Sequence, residues 1–388
     1  TQPIILGILE DAKLVTLYIN YEKNIGSHLK PPVFIESSTY SPQYAFVGLH
    51  FEKPDELIFE SISISFSYME SWVAQSAFKY RRGTNIFPSE ITYKCHIPKA
   101  RNYDIKSLNA QISLHTNLNE SYDLFSHLEV EKRNYLTLSP NEPQAFNWYI
   151  DNIFILQDFL TVAVGRPVQP RIITGRPDAK LLDDSEKHPV SVDVYFQLLG
   201  PKPDKNIHPT QMVLPLPRID DFFEELLDGW FDKSNILRPV YGLLFSASYH
   251  VPMTGISYFL TLWQAMEVLH DRAVNPEKEN DTAKNKIKLL VNNVWEECLE
   301  YFIRGKDEFC NKAVNTRHYY THYAIKKQRL AATGQELYKL SERLRIIVYA
   351  NLLKIIDLNN DFIFQSFKER YGWLVVKRPV KSNPNSSR

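Results

Sequence analysis

The sequence predicts an α+β protein, in which an N-terminal antiparallel β-rich domain is followed by a C-terminal all-α helical bundle. Three observations predict this class. The first 200 residues contain short apolar runs, and residues 61–68 alternate strictly between polar and apolar side chains. Beyond Pro217 the apolar residues recur every three or four positions, which is the helical period. Between these regions, residues 200–217 include five prolines, a composition typical of a semi-rigid domain boundary.

The N-terminal half is predicted to consist mostly of strands, interrupted by one helix. From Phe146 to Leu160 the apolar residues recur at helical spacing, and Gly165 with Pro167 ends that run. We expect this helix to cover the sheet. The polar residues 166–189 are expected to form a loop. Apolar runs between polar or proline-rich breaks place the strands at residues 4–9, 14–19, 33–36, 61–68, 91–97, 105–116, 122–138 and 190–199.

The C-terminal half is predicted to be a helical bundle, because its periodic runs are separated by short joints. We therefore divide the chain into a β-rich sensing or regulatory domain at 1–205 and a helical domain at 206–379. Residues 380–388 are expected to be a disordered tail. The helices are expected at residues 220–231, 256–270, 283–303, 307–314, 316–332, 334–358 and 361–371.

Charge is balanced overall but unevenly distributed. Residues 1–210 carry 20 Lys and Arg against 24 Asp and Glu, so the remainder of this neutral chain is net positive. From Phe309 to Gln335 there are five basic residues and no acidic residue. This pattern argues against a protein that coats DNA and favours one local site for an anionic ligand.

The cysteines and the apolar segments indicate a cytoplasmic protein. Three cysteines form no CxxC pair and are odd in number, which fits free thiols in a reducing compartment. The most apolar stretch, residues 148–164, is interrupted by Asp151, Asn152, Gln157 and Asp158. We therefore expect no membrane span and no membrane partner.

The candidate active site is the stretch from Asn315 to Tyr323. It contains Arg317, four intervening residues and His322, with His318 directly after the arginine. Asn315 and its neighbour Thr316 are good N-cap residues, so Arg317 is expected in the first turn of the helix at 316–332. A helix N-terminus and a guanidinium both attract phosphate, and a histidine can move a proton near neutral pH. The combination suits metal-free cleavage of a phosphodiester.

The spacing of the motif also predicts a dimer. Five helical steps of about 100° place Arg317 and His322 roughly 140° apart around the helix axis. One helix alone therefore does not direct both side chains at one phosphate. A two-fold symmetric dimer could bring the arginine of one chain beside the histidine of the other.

The predicted bundle from Ile256 to Tyr371, with this motif in a late helix, resembles the HEPN (higher-eukaryote and prokaryote nucleotide-binding) family. Ribonuclease members of that family carry an arginine, four to six residues and a histidine, and the residue after the arginine is usually Asn, Asp or His. Residues 259–267 look like the preceding helix of the ApeA-like branch, which also has a β-rich front domain. That branch is linked to bacterial defence against phage.

The resemblance implies a metal-independent endoribonuclease that needs no cofactor and leaves a cyclic phosphate. It implies that His322 is a general acid or base, that Arg317 stabilises the phosphorane, and that His318 transfers a second proton or orients the phosphate. The implied partners are cellular RNA, with tRNA as a candidate, and a second chain bound through the HEPN domain. A phage-encoded trigger would be sensed by the N-terminal domain, in abortive defence. The alternative is a non-catalytic HEPN protein that binds nucleotide or RNA, or acts as a scaffold.

Four further residues are candidates for supporting roles. Glu267 interrupts an apolar stripe, so its carboxylate needs a partner, either Arg317 or another base such as His270. Tyr320 could stack on RNA bases, although tyrosines of a bundle helix are more often core or interface residues. Lys326 and Lys327 could contact phosphates, or simply form a solvated face.

His318 and His322 also have the spacing of two metal ligands on one helix face. A zincin motif would need Glu where this chain has Tyr319, and no third ligand is evident. We therefore predict no metal site. No Walker loop, dinucleotide fingerprint or nucleophile elbow appears in the sequence.

Overall fold

The computed structural model describes residues 4–30, 33–82, 91–123, 125–181, 190–197, 207–249, 254–278, 281–294, 301–303 and 305–374. The chain divides into two compact units, and the division falls inside one helix. The first unit comprises residues 1–209 and 215–232, and the second comprises 210–214 and 233–388. The first contains the sheet and the second is helical, which confirms the α+β class. The tail predicted at 380–388 lies outside the described residues.

The first unit is built on an antiparallel sheet, which has ten strands within the described residues. Its order is β1-β2-β3-β12-β11-β4-β9-β8-β7, with β10 paired to β4, while β5 and β6 form a separate two-stranded ribbon. The strands are β1 Ile4–Ile8, β2 Leu14–Lys30, β3 Val33–Val47, β4 Ile58–Phe66, β5 Phe78–Arg82, β6 Ile91–Cys95, β7 Arg101–Ile105, β8 Ala110–Asp123, β9 His127–Pro140, β10 Gln144–Ala145, β11 Pro170–Pro177 and β12 Val192–Phe196.

Strand β4 carries the core of this unit, as its alternating pattern predicts. Ile62, Ile64 and Phe66 have no exposed surface. Helix α2 (Phe146–Val164) packs on this strand, and the hydroxyl of Tyr149 donates a hydrogen bond to the Phe59 carbonyl at 2.8 Å. The helix ends at Gly165, whose φ of 72° is the left-handed conformation that glycine adopts easily. Two short helices, α1 Met69–Val73 and α3 Leu216–Ile219, complete the unit together with the start of α4.

Three predictions about this unit are wrong. Residues 105–116 do not form one strand, because a 3₁₀ turn at Lys106–Leu108 separates β7 from β8. Residues 166–189 include strand β11, which lies between β12 and β4; its prolines stand at the strand ends, where a missing N–H weakens the ladder least. Residues 122–138 form the end of β8, a turn and β9 rather than one strand. The Asp123 carboxylate closes that turn by accepting the backbone N–H of Phe125, at 2.7 Å, and the hydroxyl of Ser126.

The helices of the second unit surround an apolar interior. Helix α5 packs most extensively against α8, and Leu262, Trp263 and Met266 of α5 are buried. Helix α4 was predicted to end at residue 231, but it continues through Pro239 because Leu237, Val240 and Leu244 extend its buried face. The helices are α4 Phe223–Tyr249, which starts in the first unit, α5 Gly255–Leu269, α6 Ala283–Asn293, α7 Lys306–His322, α8 Gly334–Ile355 and α9 Asn360–Tyr371.

Candidate functional site

The Arg-His motif lies at the C-terminal end of helix α7. Arg317, His318 and His322 occupy its last two turns, and Tyr323 ends it in a left-handed conformation with a φ of 48°. The predicted helix at 316–332, with Arg317 in its first turn, is therefore wrong. The C-terminal end of a helix carries a partial negative charge, so any attraction for phosphate must come from the side chains and not from the helix dipole.

Thr316 explains why the helix does not begin where its N-cap residues suggested. Its hydroxyl is buried in mid-helix, where it donates a hydrogen bond to the Lys312 carbonyl at 2.7 Å and accepts one from the N–H of Ala332 at 2.9 Å. Phe309, Ala313, Thr316 and Tyr320 form one buried row on α7. The helical spacing of that row is visible in the sequence and could have placed Thr316 inside a helix.

The segment that follows α7 folds back along it. A 3₁₀ turn at Ile325–Leu330 packs against the helix, and Lys327 Nζ donates a hydrogen bond to Asn315 Oδ1 at 2.9 Å. The hydroxyl of Tyr320 donates to the Ala332 carbonyl at 3.0 Å, and the side chain is buried. The expectation that Tyr320 stacks on RNA does not fit this geometry. Its ring is part of the packing, which is the alternative that the sequence left open.

The two histidines stand side by side on the exposed face of α7. Their ring centroids are 5.0 Å apart, with 57° between the ring planes. Both side chains are exposed, on the side of the helix opposite the buried row. Within the described residues, neither imidazole has an ion-pair or hydrogen-bond partner. Both rings are therefore accessible for proton transfer to or from a ligand.

Arg317 is partly exposed at the edge of the buried row. In the described parts of the chain its guanidinium forms no ion pair. Because all three motif residues belong to one continuous α-helix, Arg317 and His322 remain about 140° apart around its axis. A single chain thus directs its guanidinium and its second imidazole away from each other.

Glu267 does not hold Arg317. Its carboxylate accepts a hydrogen bond from Trp263 Nε1 at 2.8 Å, one helical turn away on α5. The predicted pairing is absent from the described residues, in which the partner of this carboxylate is an indole N–H of its own helix. The proposed alternative partner, His270, is buried and bonds instead through Nδ1 to the Asp271 carboxylate at 2.7 Å.

Other chemical features near the motif are few. Lys326 is exposed and, like Arg317, has no ion-pair partner among the described residues. A cavity of about 230 Å³ adjoins the first half of α7, between Phe309, Lys312 and the start of α8, and no motif residue lines it. Within the described residues, no three His, Cys, Asp or Glu side chains are grouped in a way that could hold a metal ion.

Two family models match the sequence. That of the ApeA N-terminal domain 1 matches residues 1–230, and that of the Apea-like HEPN domain matches residues 260–362. The first covers more than half of the chain, and the second includes the whole Arg-His motif. The chain belongs to the ApeA-like HEPN family. Neither a curated protein nor a solved structure matches it significantly.

Membership in the ApeA-like family makes the chain a HEPN-family defence protein. HEPN domains are generally endoribonucleases, and they typically bind RNA and dimerise. In this ApeA-like chain, no helix of the described parts is long and apolar enough to cross a membrane.

Proposed function

We propose that this ApeA-like protein is a metal-independent endoribonuclease that cuts cellular RNA, with tRNA as a candidate substrate, in abortive defence against phage. The observation that carries the proposal is the exposed His318–His322 pair, with ring centroids 5.0 Å apart, on the helix that also carries Arg317. Two imidazoles and a guanidinium can provide a base, an acid and a phosphate ligand once they meet at one phosphate.

In the proposed reaction, one imidazole removes the proton from a ribose 2′-hydroxyl, and the resulting oxygen attacks the adjacent phosphorus. A second imidazole gives a proton to the departing 5′-oxygen as the bond from phosphorus to that oxygen breaks. The products are a 2′,3′-cyclic phosphate and a 5′-hydroxyl. Arg317 stabilises the negative charge that develops on the phosphorane oxygens. His318 and His322 share the two proton transfers.

The proposed active unit is a homodimer formed through the HEPN domain. The angle of about 140° between Arg317 and His322 prevents one helix from presenting both to one phosphate. A two-fold axis beside the exposed face of α7 would place the arginine of one chain beside the imidazole of the other. The exposure of both imidazoles supports this arrangement, since the dimer would enclose side chains that a single chain leaves open to solvent.

The N-terminal domain, at residues 1–205 in our division, is proposed to regulate the helical domain at 206–379. A nuclease that cuts cellular RNA must be inactive in a healthy cell, so a phage-encoded trigger sensed by the β-rich domain is the proposed activator. The architecture supports this role, because a separate compact unit precedes the one that carries the motif.

The proposal is tested by expressing the wild type, Arg317→Ala and Thr321→Ala in cells and sequencing the RNA ends. Thr321 is the matched control, because it is an exposed residue in the same helical turn. The cells are infected with phage, so that the proposed trigger is present. We then expect a toxic wild type with a dominant cleavage site, the same sites with Thr321→Ala, and their loss with Arg317→Ala. Equal RNA ends in all three would favour the non-catalytic alternative, in which the HEPN domain only binds nucleotide or RNA or acts as a scaffold.

A further inference from the structure

The ribbon formed by β5 and β6 in the first unit has an unusual charge arrangement. Its two strands, residues 78–82 and 91–95, contain four Lys and Arg and no acid, although the first 210 residues are net negative. Within the described part of the chain, its two strands pair with each other and with no strand of the large sheet. Its basic character is therefore local, on a separate piece of structure.

Two lysines face each other across this ribbon. Lys79 and Lys94 occupy directly opposed positions of the antiparallel ladder, and both side chains are exposed. Among the described residues, neither lysine has an ion-pair partner. Like charges in directly opposed positions destabilise a strand pair. An anion bound between the two ammonium groups would remove that repulsion.

The strand register places both lysines on one face of the ribbon. Directly opposed residues of an antiparallel pair point to the same side, so the side chains of Lys79 and Lys94 lie together. The opposite face has a different character, because Phe78 and Tyr93 are 40% and 62% exposed. The ribbon thus has a basic side and an aromatic side.

We propose that the basic face of the β5–β6 ribbon binds the phosphate backbone of the RNA substrate. This inference rests on the proposed ribonuclease function, which supplies the anionic polymer. Two neighbouring ammonium groups suit the repeated negative charge of a phosphate backbone, and such contacts position a nucleic acid without reading its sequence. Among the described residues, this face of the ribbon has no Asp or Glu side chain that would repel the phosphates of RNA.

The experiment measures binding of bulk transfer RNA by the full-length chain in a His322→Ala background, which separates binding from cleavage. Lys79→Glu is compared with Lys106→Glu, an exposed lysine of the same unit outside the ribbon. We expect Lys79→Glu to weaken RNA binding several-fold for all sequences and to reduce the slope of log K against log salt by about 1. Lys106→Glu and the charge-conserving Lys79→Arg should retain the parent affinity and slope.

The thermal midpoint of Lys79→Glu separates RNA binding from a purely structural role of Lys79, in which RNA binding would weaken only because the fold is destabilised. The carboxylate introduced by Lys79→Glu faces Lys94 in register, so it replaces a repulsion by an attraction, and the thermal midpoint should not fall. Weaker RNA binding at an unchanged or raised Tm supports the inference. Equal affinities and salt slopes for Lys79→Glu and Lys106→Glu would overturn it, as would weaker binding to anionic phospholipid vesicles but not to RNA.

The same experiment separates this inference from the proposed function. If the chain with His322 intact cuts no RNA while its His322→Ala form still binds RNA through Lys79, the nuclease activity is rejected and the binding face stands. If RNA is cut but Lys79→Glu binds as the parent does, the binding face alone is rejected.

Discussion

The hydroxyl of Thr316 accepts a hydrogen bond from the backbone N–H of Ala332 at 2.9 Å, although the two residues are sixteen positions apart. This hydrogen bond, with that of Tyr320 to the Ala332 carbonyl, anchors the segment after α7 to the helix that carries the Arg-His motif. Because both groups of this bond are buried, its loss would leave an unpaired donor in the interior.

We therefore expect Thr316→Val to lower the free energy of unfolding by about 1–3 kcal/mol, since it keeps the shape of the side chain but removes the hydroxyl. Thr316→Ser keeps the hydroxyl and is the control. Urea denaturation measures both variants. A Val variant as stable as the wild type would show that the hydrogen bond contributes nothing to the fold.

The two lysines after the motif should differ in their effect on RNA. Lys326 is exposed without a described ion-pair partner, whereas Lys327 is bonded to Asn315 on α7. We expect Lys326→Ala to weaken RNA binding and to reduce the salt slope by about 1, as for the loss of one phosphate contact. Lys327→Ala should instead act on local stability. Titrations of RNA binding at several salt concentrations measure both variants. An equal loss of affinity in Lys326→Ala and Lys327→Ala would contradict the predicted difference.

The reactivity of the cysteines, and the way that reactivity depends on pH, tests the packing of α7. Burial raises the pKa of the Cys310 thiol to about 11, whereas Cys95 is exposed. Since only the thiolate reacts, about one Cys310 in a thousand is reactive at pH 8, and that fraction grows as the pH rises towards 11. In a Cys298→Ser background, iodoacetamide at pH 8 should label Cys95 and spare Cys310, as read by mass spectrometry. Equal labelling of both would contradict the buried position of Cys310.

Subunit mixing tests whether the active site is shared between chains. Arg317→Ala and His322→Ala should each be inactive alone. In a fully exchanged 1:1 mixture of the two variants, half of the dimers contain one chain of each variant. If each site combines Arg317 of one chain with His322 of the other, one of the two sites in such a mixed dimer is intact. We then expect about a quarter of wild-type activity. Activity that never recovers on mixing would place the whole site within one chain.

Periodicity was the reliable part of the sequence signal. The alternation in β4 and the apolar spacing from Phe146 to Leu160 predicted a buried strand and the helix that covers it, because burial itself imposes these periods. The motif residues were found from their chemical types and spacing. Their membership in one α-helix, and therefore the angle between Arg317 and His322, was also predictable.

The hydrogen-bond partners of polar groups were not predictable from sequence, and residue type alone misplaced the start of one helix. Thr316 has the residue type of an N-cap, but its hydroxyl is used inside the helix, since a buried row and the Ala332 N–H hold it there. Glu267 takes its partner from Trp263 on the same helix rather than from a base on another. Such choices depend on which groups the fold brings within about 3 Å, which local propensity does not encode.

The most direct test of the account is the chemistry of RNA ends produced by the purified chain in the presence of EDTA. We expect the wild type to yield 2′,3′-cyclic phosphate and 5′-hydroxyl ends, and His322→Ala to be slower by about 10²–10⁴-fold, the usual contribution of a general acid or base. Cleavage that stops on chelation and returns with a divalent metal, or that proceeds equally fast in His322→Ala, would contradict a metal-free site built on Arg317, His318 and His322.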